Sequence, residues 1–393
     1  MIDYVDSCEA YKTLLDKLSC SRWIALDTEF VSERRFQPWL CLIQLAWEDG
    51  MCLLDPLALS SVDEFWELLT EGSHETIVHA GRGDLEFCIR QTGKLPKKIF
   101  DTQLASGFIG WPYPAGYANL LELSLGISLP NTETRTDWSR RPLLPQQIEY
   151  GLDDVRYLQP LRNIIGGRLE KLDRQEWYNL EMEEWKNTFH HQFGPERWEK
   201  LVSNSSLDRR SLAIVRELFY WRERRARSAN CPARRILRDD LILELARRRS
   251  SSQERIRELR ELNQSNYLTI LPQLARVIDD ALKLPTNDCP SLRPHDCSSK
   301  MTVLGQLMYS ALGTICKREN LAVQLVGCPS DVRQWIMRKI KDDPAVRPSP
   351  LEQGWRRQVV GTLFDEILSG QLLIRVVDIE SEMPLEFLRP GEI

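Results

Sequence analysis

Two acidic residues stand one position apart near the start of the chain, at the end of an apolar run. The run Ile24-Ala25-Leu26 leads into Asp27-Thr28-Glu29, and its composition predicts a buried strand. Alternate residues of a strand point to the same face, so Asp27 and Glu29 would project together and Thr28 would lie behind the sheet. Neighbouring carboxylates resist burial unless a cation lies between them. The pair is therefore a candidate ligand set for Mg²⁺ or Mn²⁺; a solvated strand end is the alternative.

A third carboxylate follows a turn that contains two glycines. Asp84 ends the sequence His79-Ala80-Gly81-Arg82-Gly83-Asp84, where a predicted short strand meets a predicted helix. Glycines let the backbone approach neighbouring groups closely, which would aim Asp84 back toward the strand ends. The alternative role for Asp84 is that of a helix N-cap, and the two roles are compatible.

A tyrosine and a fourth carboxylate share one face of a predicted helix. Tyr150 and Asp154 are four residues apart in Tyr150-Gly151-Leu152-Asp153-Asp154, a spacing that brings two side chains together. The phenol could orient a water molecule, and the carboxylate could complete a two-metal site. Asp153 lies about 100° around the helix and is not expected to be a ligand. An exposed acidic helix with one amphipathic tyrosine is the alternative.

The elements that must position these residues belong to a mixed α/β architecture. A helix is predicted over 7–19, and strands over 40–47 and 51–54 flank the turn Glu48-Asp49-Gly50. Alternating helices and short strands follow as far as Phe100, and this order predicts an α/β domain with a mixed sheet. Beyond residue 187 the pattern is helical, interrupted by polar and proline-containing segments that predict linkers.

Charge is distributed unevenly along the 393 residues. Residues 1–170 hold 16 Lys and Arg against 25 Asp and Glu, whereas residues 211–283 hold 16 against 10. An acidic half beside a basic one fits a metal-dependent site next to a module that binds a polyanion. Ten cysteines without paired spacing and no apolar run long enough to span a bilayer predict a cytoplasmic protein that is not bound to membranes.

Six ordered blocks carry a resemblance to a known family. They are DTEFVSERRFQPWLCLIQLAW, LLDPL, VHAGRGDLE, FDTQLASGFIG, TRTDWSRRPL and YGLDDVRYL, all within residues 23–158. The series resembles ribonuclease D, of the tyrosine-bearing branch of the DEDD superfamily. The resemblance implies a ribonuclease H-like α/β fold and hydrolysis of RNA from the 3′ end, releasing nucleoside 5′-monophosphates. It implies two divalent ions (Mg²⁺ or Mn²⁺) held by Asp27, Glu29, Asp84 and Asp154, with Asp27 bridging them and Tyr150 orienting the attacking water.

The resemblance extends to the helical part of the chain, which looks like an HRDC domain followed by a second HRDC-like domain, both all-α. We therefore expect the following organisation: an exonuclease domain (1–187), a connector (188–209), an HRDC domain (210–285), a linker (286–300), an HRDC-like domain (301–375) and a tail (376–393). Truncation near residue 206 is then expected to weaken RNA binding far more than catalysis.

Several basic and aromatic residues are candidates for contact with RNA. Arginine suits phosphate and tryptophan suits base stacking, which favours contact between the segment that contains Arg135, Trp138, Arg140 and Arg141 and either the substrate or the neighbouring domain. An ordinary loop with a packed tryptophan is the alternative. Arg34 and Arg35 could line the entry to the site. In the HRDC-like region the candidates are Arg222, Arg224, Arg225, Arg227 and Arg247–Arg249. Where the family often has a lysine two residues before Glu133, this chain has Asn131.

The expected partner is RNA, either tRNA precursors or other structured RNA with 3′ tails, and we expect the protein to be a monomer. Two alternatives stay open from the sequence: a 3′–5′ DNA exonuclease that uses the same metals, and an inactive scaffold that binds nucleic acid. The presence of all four carboxylates and Tyr150 argues against the scaffold.

Overall fold

The computed structural model describes residues 3–391, with gaps at 131–135, 194–196, 203–206, 264, 292–301 and 342–347. The described residues form two compact units. The first unit comprises 1–29, 40–186 and 297–393, and the second comprises 30–39 and 187–296. Helices are numbered α1–α20 and strands β1–β8 in chain order.

A six-stranded mixed sheet carries the first half of the chain. Its spatial order is β1-β4-β3-β2-β5-β6, with β3 antiparallel to β4 and the pairs β1–β4, β2–β5 and β5–β6 parallel. The strands are β1 (Asp3–Val5), β2 (Trp23–Val31), β3 (Trp39–Trp47), β4 (Gly50–Leu54), β5 (Glu75–Val78) and β6 (Lys98–Asp101). The predicted mixed α/β fold is confirmed, and β2 lies inside the sheet rather than at an edge.

Among the described residues up to 193, eight helices follow or separate these strands. They are α1 (Cys8–Ser19), α2 (Asp63–Glu71), α3 (Arg82–Thr92), α4 (Thr102–Gly107), α5 (Tyr117–Leu125), α6 (Pro145–Arg156), α7 (Leu158–Lys171) and α8 (Gln175–Phe193). Val155 and Leu158, at the α6–α7 junction, pack on Ala25, Ala46 and Ile77 of the sheet. Because Ala25 lies two residues before Asp27, this packing places α6 over the face of β2 that bears Asp27.

The C-terminal region of the first unit is helical and ends in a hairpin. Its elements are α16 (Thr302–Arg318), α17 (Val323–Val326), α18 (Pro329–Lys341), α19 (Gly354–Val360), α20 (Leu363–Leu368), β7 (Leu373–Val376) and β8 (Leu385–Leu388). Strands β7 and β8 pair in antiparallel register. The segment predicted as a tail (376–393) therefore contains the end of β7 and all of β8, which cross-strand hydrogen bonds hold together.

This C-terminal region is packed against the helices of the exonuclease part. The buried Arg174 donates hydrogen bonds to the carbonyls of Phe108 (2.7 Å) and Asn320 (2.6 Å). Arg356 donates two hydrogen bonds of 2.7 Å to Glu181, and the rings of Phe108 and Trp355 are 4.9 Å apart. Truncation near residue 206 would remove these contacts, so point substitutions are better tests than that truncation.

The second unit has a core of its own. Its helices are α9 (Glu199–Val202), α10 (Arg209–Ser228), α11 (Ala233–Ile236), α12 (Asp239–Arg248), α13 (Gln253–Arg257), α14 (Ser265–Leu268) and α15 (Leu271–Lys283). Leu218 of α10, Ile242 of α12 and Ile278 of α15 are fully buried members of one apolar cluster. In the part of the chain that the structure describes, no helix combines the length and apolar character needed to cross a bilayer.

Candidate active site

Strand β2 presents Asp27 and Glu29 at the end of its buried run. Ile24, Ala25 and Leu26 are fully buried, whereas Asp27 and Glu29 are half-buried. The apolar residues hold the strand in the middle of the sheet, and the two acids mark the place where it leaves the core. The side chains therefore lie at a boundary between protein and solvent, where a ligand can reach them.

The turn before α3 is held by Asp101 at the end of β6. Its carboxylate accepts hydrogen bonds from the backbone N–H groups of Ala80 (3.2 Å) and Gly81 (3.0 Å), and it also caps α4. At Gly81 a Cβ would lie 2.5 Å from Val78, so only glycine fits this close approach. Gly81 is the N-cap of α3, and Asp84 is a buried residue of its first turn rather than the cap itself.

Thr28 links β2 to α3. Its hydroxyl donates a hydrogen bond of 2.5 Å to Oδ1 of Asp84, and both side chains are buried. The alternation of the strand placed Thr28 behind the sheet, with no role in the site. The hydrogen bond to Asp84 shows that this interpretation was incomplete, because one hydroxyl holds the third carboxylate in place. The sequence holds no separate signal for this contact.

Helix α6 approaches the sheet closely at Gly151. A Cβ at this position would lie 3.3 Å from Leu53 and 3.4 Å from Gln44, so a larger residue would push the helix outward. Tyr150, just before Gly151, and Asp154, three residues after it, are thereby held near β2. Asp153 pairs with Arg156, which agrees with its expected absence from the ligand set.

Burial raises the pKa of all four carboxyls, and neighbouring charges add to this effect. Desolvation, together with the charges of Asp84, Asp154 and Glu29, raises the pKa of Asp27 well above its usual value. Burial first, and the charges of Asp154 and Asp84 second, raise the pKa of Glu29 to about 8. Burial first, and the charge of the adjacent Asp153 second, raise the pKa of Asp154 to about 7. The pKa of Asp84 rises to about 6, mainly by burial and against the hydrogen bonds from Thr28. The site thus concentrates negative charge that added cations would stabilise.

These residues fit divalent cations chemically. All four are oxygen donors, which Mg²⁺ and Mn²⁺ prefer, and Oδ2 of Asp154 is buried without a hydrogen-bond partner among the described residues. No three His, Cys, Asp or Glu side chains of the described chain already stand in a geometry that holds an ion. The proximity of Asp27 lowers the pKa of Asp154, against the larger effect of burial.

Trp138 and Arg141 have structural partners that the sequence did not reveal. Trp138 is buried, and its ring centroid lies 6.0 Å from that of Tyr150. Arg141 donates to both oxygens of the buried Asp55, at 2.5 and 2.7 Å, and to the carbonyl of Cys41 at 2.6 Å. We therefore revise their predicted role as direct RNA contacts: they hold the segment that packs beside Tyr150.

Apart from Arg34, Arg35, Arg224, Arg225 and Arg227, the other candidates for RNA contact divide into three groups. Arg135 and Asn131 lie outside the described residues, and Arg140 is exposed and pairs with Asp137. Arg222 is buried and donates to the carbonyl of Leu237, so its expected contact with RNA is also revised. The third group is paired on the surface of the second unit: Arg247 and Arg248 with Glu244, and Arg249 with Asp208.

The contacts of His79 indicate a structural role for its side chain. One ring nitrogen lies 2.9 Å from the Thr102 hydroxyl and the other 3.0 Å from the carbonyl of Ala115. Both nitrogens are therefore engaged within the protein, which agrees with a packed histidine at the end of β5.

Comparison with known proteins assigns the two parts of the chain. Residues 2–170 match the family model described as 3'-5' exonuclease, and residues 211–278 match that of the HRDC domain. Ribonuclease D of Jannaschia sp. is 30% identical over 92% of this chain and 96% of its own length. That of Pseudomonas paraeruginosa is 30% identical over 87% of this chain and 92% of its own.

A solved structure agrees with the sequence relatives. The crystal structure of Escherichia coli RNase D, described as an exoribonuclease involved in structured RNA processing, matches with a TM-score of 0.80 at 25% identity. The match covers 94% of this chain and 99% of that one. Together with the site on β2, α3 and α6, these matches show that the chain belongs to the ribonuclease D family of 3′–5′ exoribonucleases.

Proposed function

We propose that the chain shortens RNA from its 3′ end by hydrolysis that depends on two divalent ions, Mg²⁺ or Mn²⁺, held by Asp27, Glu29, Asp84 and Asp154. The observation that carries this proposal is that β2, α3 and α6 bring four carboxyls together, where burial raises the pKa of each and the charges of the other three raise that of Asp27. Like charges that are partly desolvated destabilise a folded protein, unless the cluster has a counter-charge to bind. Four carboxylates balance the charge of two divalent ions.

Each side chain has a distinct part in this proposal. Asp27, Glu29, Asp84 and Asp154 would hold the divalent ions, which would supply charge neutralisation at the scissile phosphate and a lower pKa of the attacking water. Asp27 is affected by all three of the other carboxylates, which supports a central, bridging position. Thr28 orients Asp84 by donating a hydrogen bond to its Oδ1, so the hydroxyl would position this carboxylate for a cation.

Tyr150 would orient the attacking water rather than take a proton from it. Burial and the charges of Asp154 and Glu29 raise its pKa above the usual value near 10. The phenol therefore stays protonated at neutral pH and can donate or accept a hydrogen bond. Attack of water on phosphorus breaks the bond to the 3′ oxygen, so the phosphate leaves on the 5′ oxygen of the released nucleotide.

The proposed substrates are structured RNAs with single-stranded 3′ tails, including tRNA precursors. The basic charge of residues 211–283 supports a polyanionic partner, and the E. coli relative is described as acting in structured RNA processing. We further propose a monomer that works in the cytoplasm, and this location is supported by the nine described cysteines, which are free thiols.

The test compares Asp27→Asn with Asp153→Asn, a control on α6 that pairs with Arg156. Matched RNA and DNA oligonucleotides with 3′ tails are incubated with Mg²⁺ or Mn²⁺, and products are separated by chromatography. We expect Asp27→Asn to abolish release of nucleoside 5′-monophosphates, with an unchanged melting temperature in the absence of metal or a higher one, and Asp153→Asn to stay active. Activity of Asp27→Asn near that of the wild type would refute the assignment, and equal rates on DNA would favour the DNA exonuclease.

A further inference from the structure

The segment that follows β2 belongs to the same compact unit as the HRDC domain. Residues 30–39 and 187–296 cluster together. The N–H of Phe36 donates to Oδ1 of Asn230 at 3.4 Å, and the guanidinium of Arg227 lies 5.6 Å from the Phe36 ring. A loop from the exonuclease sequence is therefore attached to the turn between α10 and α11.

This attachment brings two groups of arginines together. Residues 224–238, which run from the end of α10 into α12, contain six arginines and no acidic residue. Arg225 and Arg238 have partners in Gln273 and Asp240. The other four, together with the pair on the attached loop, form no ion pair with a described carboxylate. These residues are Arg34, Arg35, Arg224, Arg227, Arg234 and Arg235.

The loop also places an aromatic side chain beside its arginines. The guanidinium of Arg35 lies 3.9 Å from the centroid of the Trp39 ring, and Trp39 is 36% exposed. Cationic side chains beside an exposed indole are the combination that binds single-stranded nucleic acid, because bases stack on the ring while arginines contact phosphates. An arginine surface without acidic partners also stays available for phosphate.

The loop is also close to the site by covalent connection. Arg34 is five residues from Glu29, so an extended chain keeps the two within about 18 Å. A strand of RNA bound at Arg34 and Arg35 is therefore only a few nucleotides from the carboxylates.

We propose that the loop 30–39 and the α10–α11 turn form one binding face for the single-stranded 3′ tail of the RNA substrate. The loop supplies Arg34, Arg35 and Trp39, and the helices that flank the turn supply Arg227 (α10) and Arg234 and Arg235 (α11). The contact between Phe36 and Asn230 keeps the two parts together. This inference rests on the proposed function only in taking RNA as the ligand.

Direct binding in EDTA tests this face without cleavage. Fluorescence anisotropy measures the affinity for a 3′-tailed RNA between 50 and 200 mM salt, for Arg34→Ala/Arg35→Ala and for Arg234→Ala/Arg235→Ala. Each lost phosphate contact should lower the log–log salt slope by about 0.7. Each double variant should therefore lose about 1.4 from the slope, so that the change in affinity over this fourfold range becomes about sevenfold smaller. The control Arg247→Ala/Arg248→Ala, on the paired arginines of α12, should keep the wild-type slope.

Two further measurements complete the test. Trp39→Ala should weaken binding by at least about fivefold without changing the slope, because stacking releases no counterions. All variants should retain the wild-type maximal rate on a dinucleotide, which is too short to reach the face. Unchanged slopes in both double variants would overturn the inference. If the wild type bound RNA as described but hydrolysed neither RNA nor the dinucleotide, the proposed function would fail while the binding face would stand.

Discussion

Removing a negative charge from the site should stabilise the protein when no metal is bound. The perturbation is Glu29→Gln, which keeps the size of the side chain. The pKa of Glu29 rises from 4.5 to about 8 in the folded protein, first by burial and then by the charges of Asp154 and Asp84. An acid whose pKa is raised by folding destabilises the folded state above its unfolded pKa, because the folded state holds the proton more tightly.

The magnitude follows from the two pKa values. At pH 7, a shift from 4.5 to about 8 corresponds to a loss of about 3 kcal/mol of unfolding free energy. At pH 5 the same shift gives less than about 1 kcal/mol, and above pH 8 it approaches about 5 kcal/mol. Glu29→Gln removes this contribution, so in EDTA the variant should exceed the wild type in stability by these amounts.

Urea unfolding in EDTA at pH 5, 7 and 8.5, followed by tryptophan fluorescence, provides the measurement. The control Glu122→Gln, at an exposed position of α5, should change the unfolding free energy by less than about 0.5 kcal/mol. Adding Mg²⁺ should stabilise the wild type far more than Glu29→Gln, because only the wild type keeps the full ligand set. A variant that is less stable than the wild type in EDTA at pH 7 would refute the reasoning.

Three other substitutions test the supports of the site. Tyr150→Phe should lower the single-turnover rate by about 10²-fold or more while metal titration stays unchanged; an unaltered rate would make the tyrosine structural. Asp55→Asn, which leaves the Arg141 guanidinium without its carboxylate partner, should lower stability by about 3 kcal/mol and slow cleavage. Full activity would show that the Arg141–Asp55 pair does not support the position of Tyr150. Glu181→Ala should destabilise by about 3 kcal/mol, because the largely buried Arg356 loses its close carboxylate partner and keeps only the more distant Glu184, at 3.7 Å. Its maximal rate should be unchanged in urea-free buffer, and a melting temperature equal to that of the wild type would contradict the role of this pair.

Short and weakly periodic elements escaped prediction. Strand β1 has three residues, which are too few to show alternation. It forms because the backbone of Asp3–Val5 pairs with the edge of β4. The β7–β8 hairpin carries exposed apolar residues such as Val376 and Ile379, so its pattern resembled an unstructured tail. In both cases pairing with a distant or later strand, rather than local propensity, decides the structure.

The local order of residue types determined much of the chemistry of this protein. The strand pattern before Asp27 and Glu29, and the helical spacing of Tyr150 and Asp154, follow from periods of 2 and 3.6 residues that the chain carries locally. The excess of negative charge over residues 1–170 and of positive charge over residues 211–283 is likewise a property of the sequence alone.

Partnerships between distant residues were decided only by the tertiary structure. Thr28 meets Asp84 across 56 positions, and Arg141 meets Asp55 across 86, distances at which periodicity carries no information. An arginine in a basic segment has the same sequence signature whether it binds phosphate or a buried carboxylate. Which of the two occurs depends on the folded backbone, because desolvating a charge is tolerated only where a partner has been brought to it.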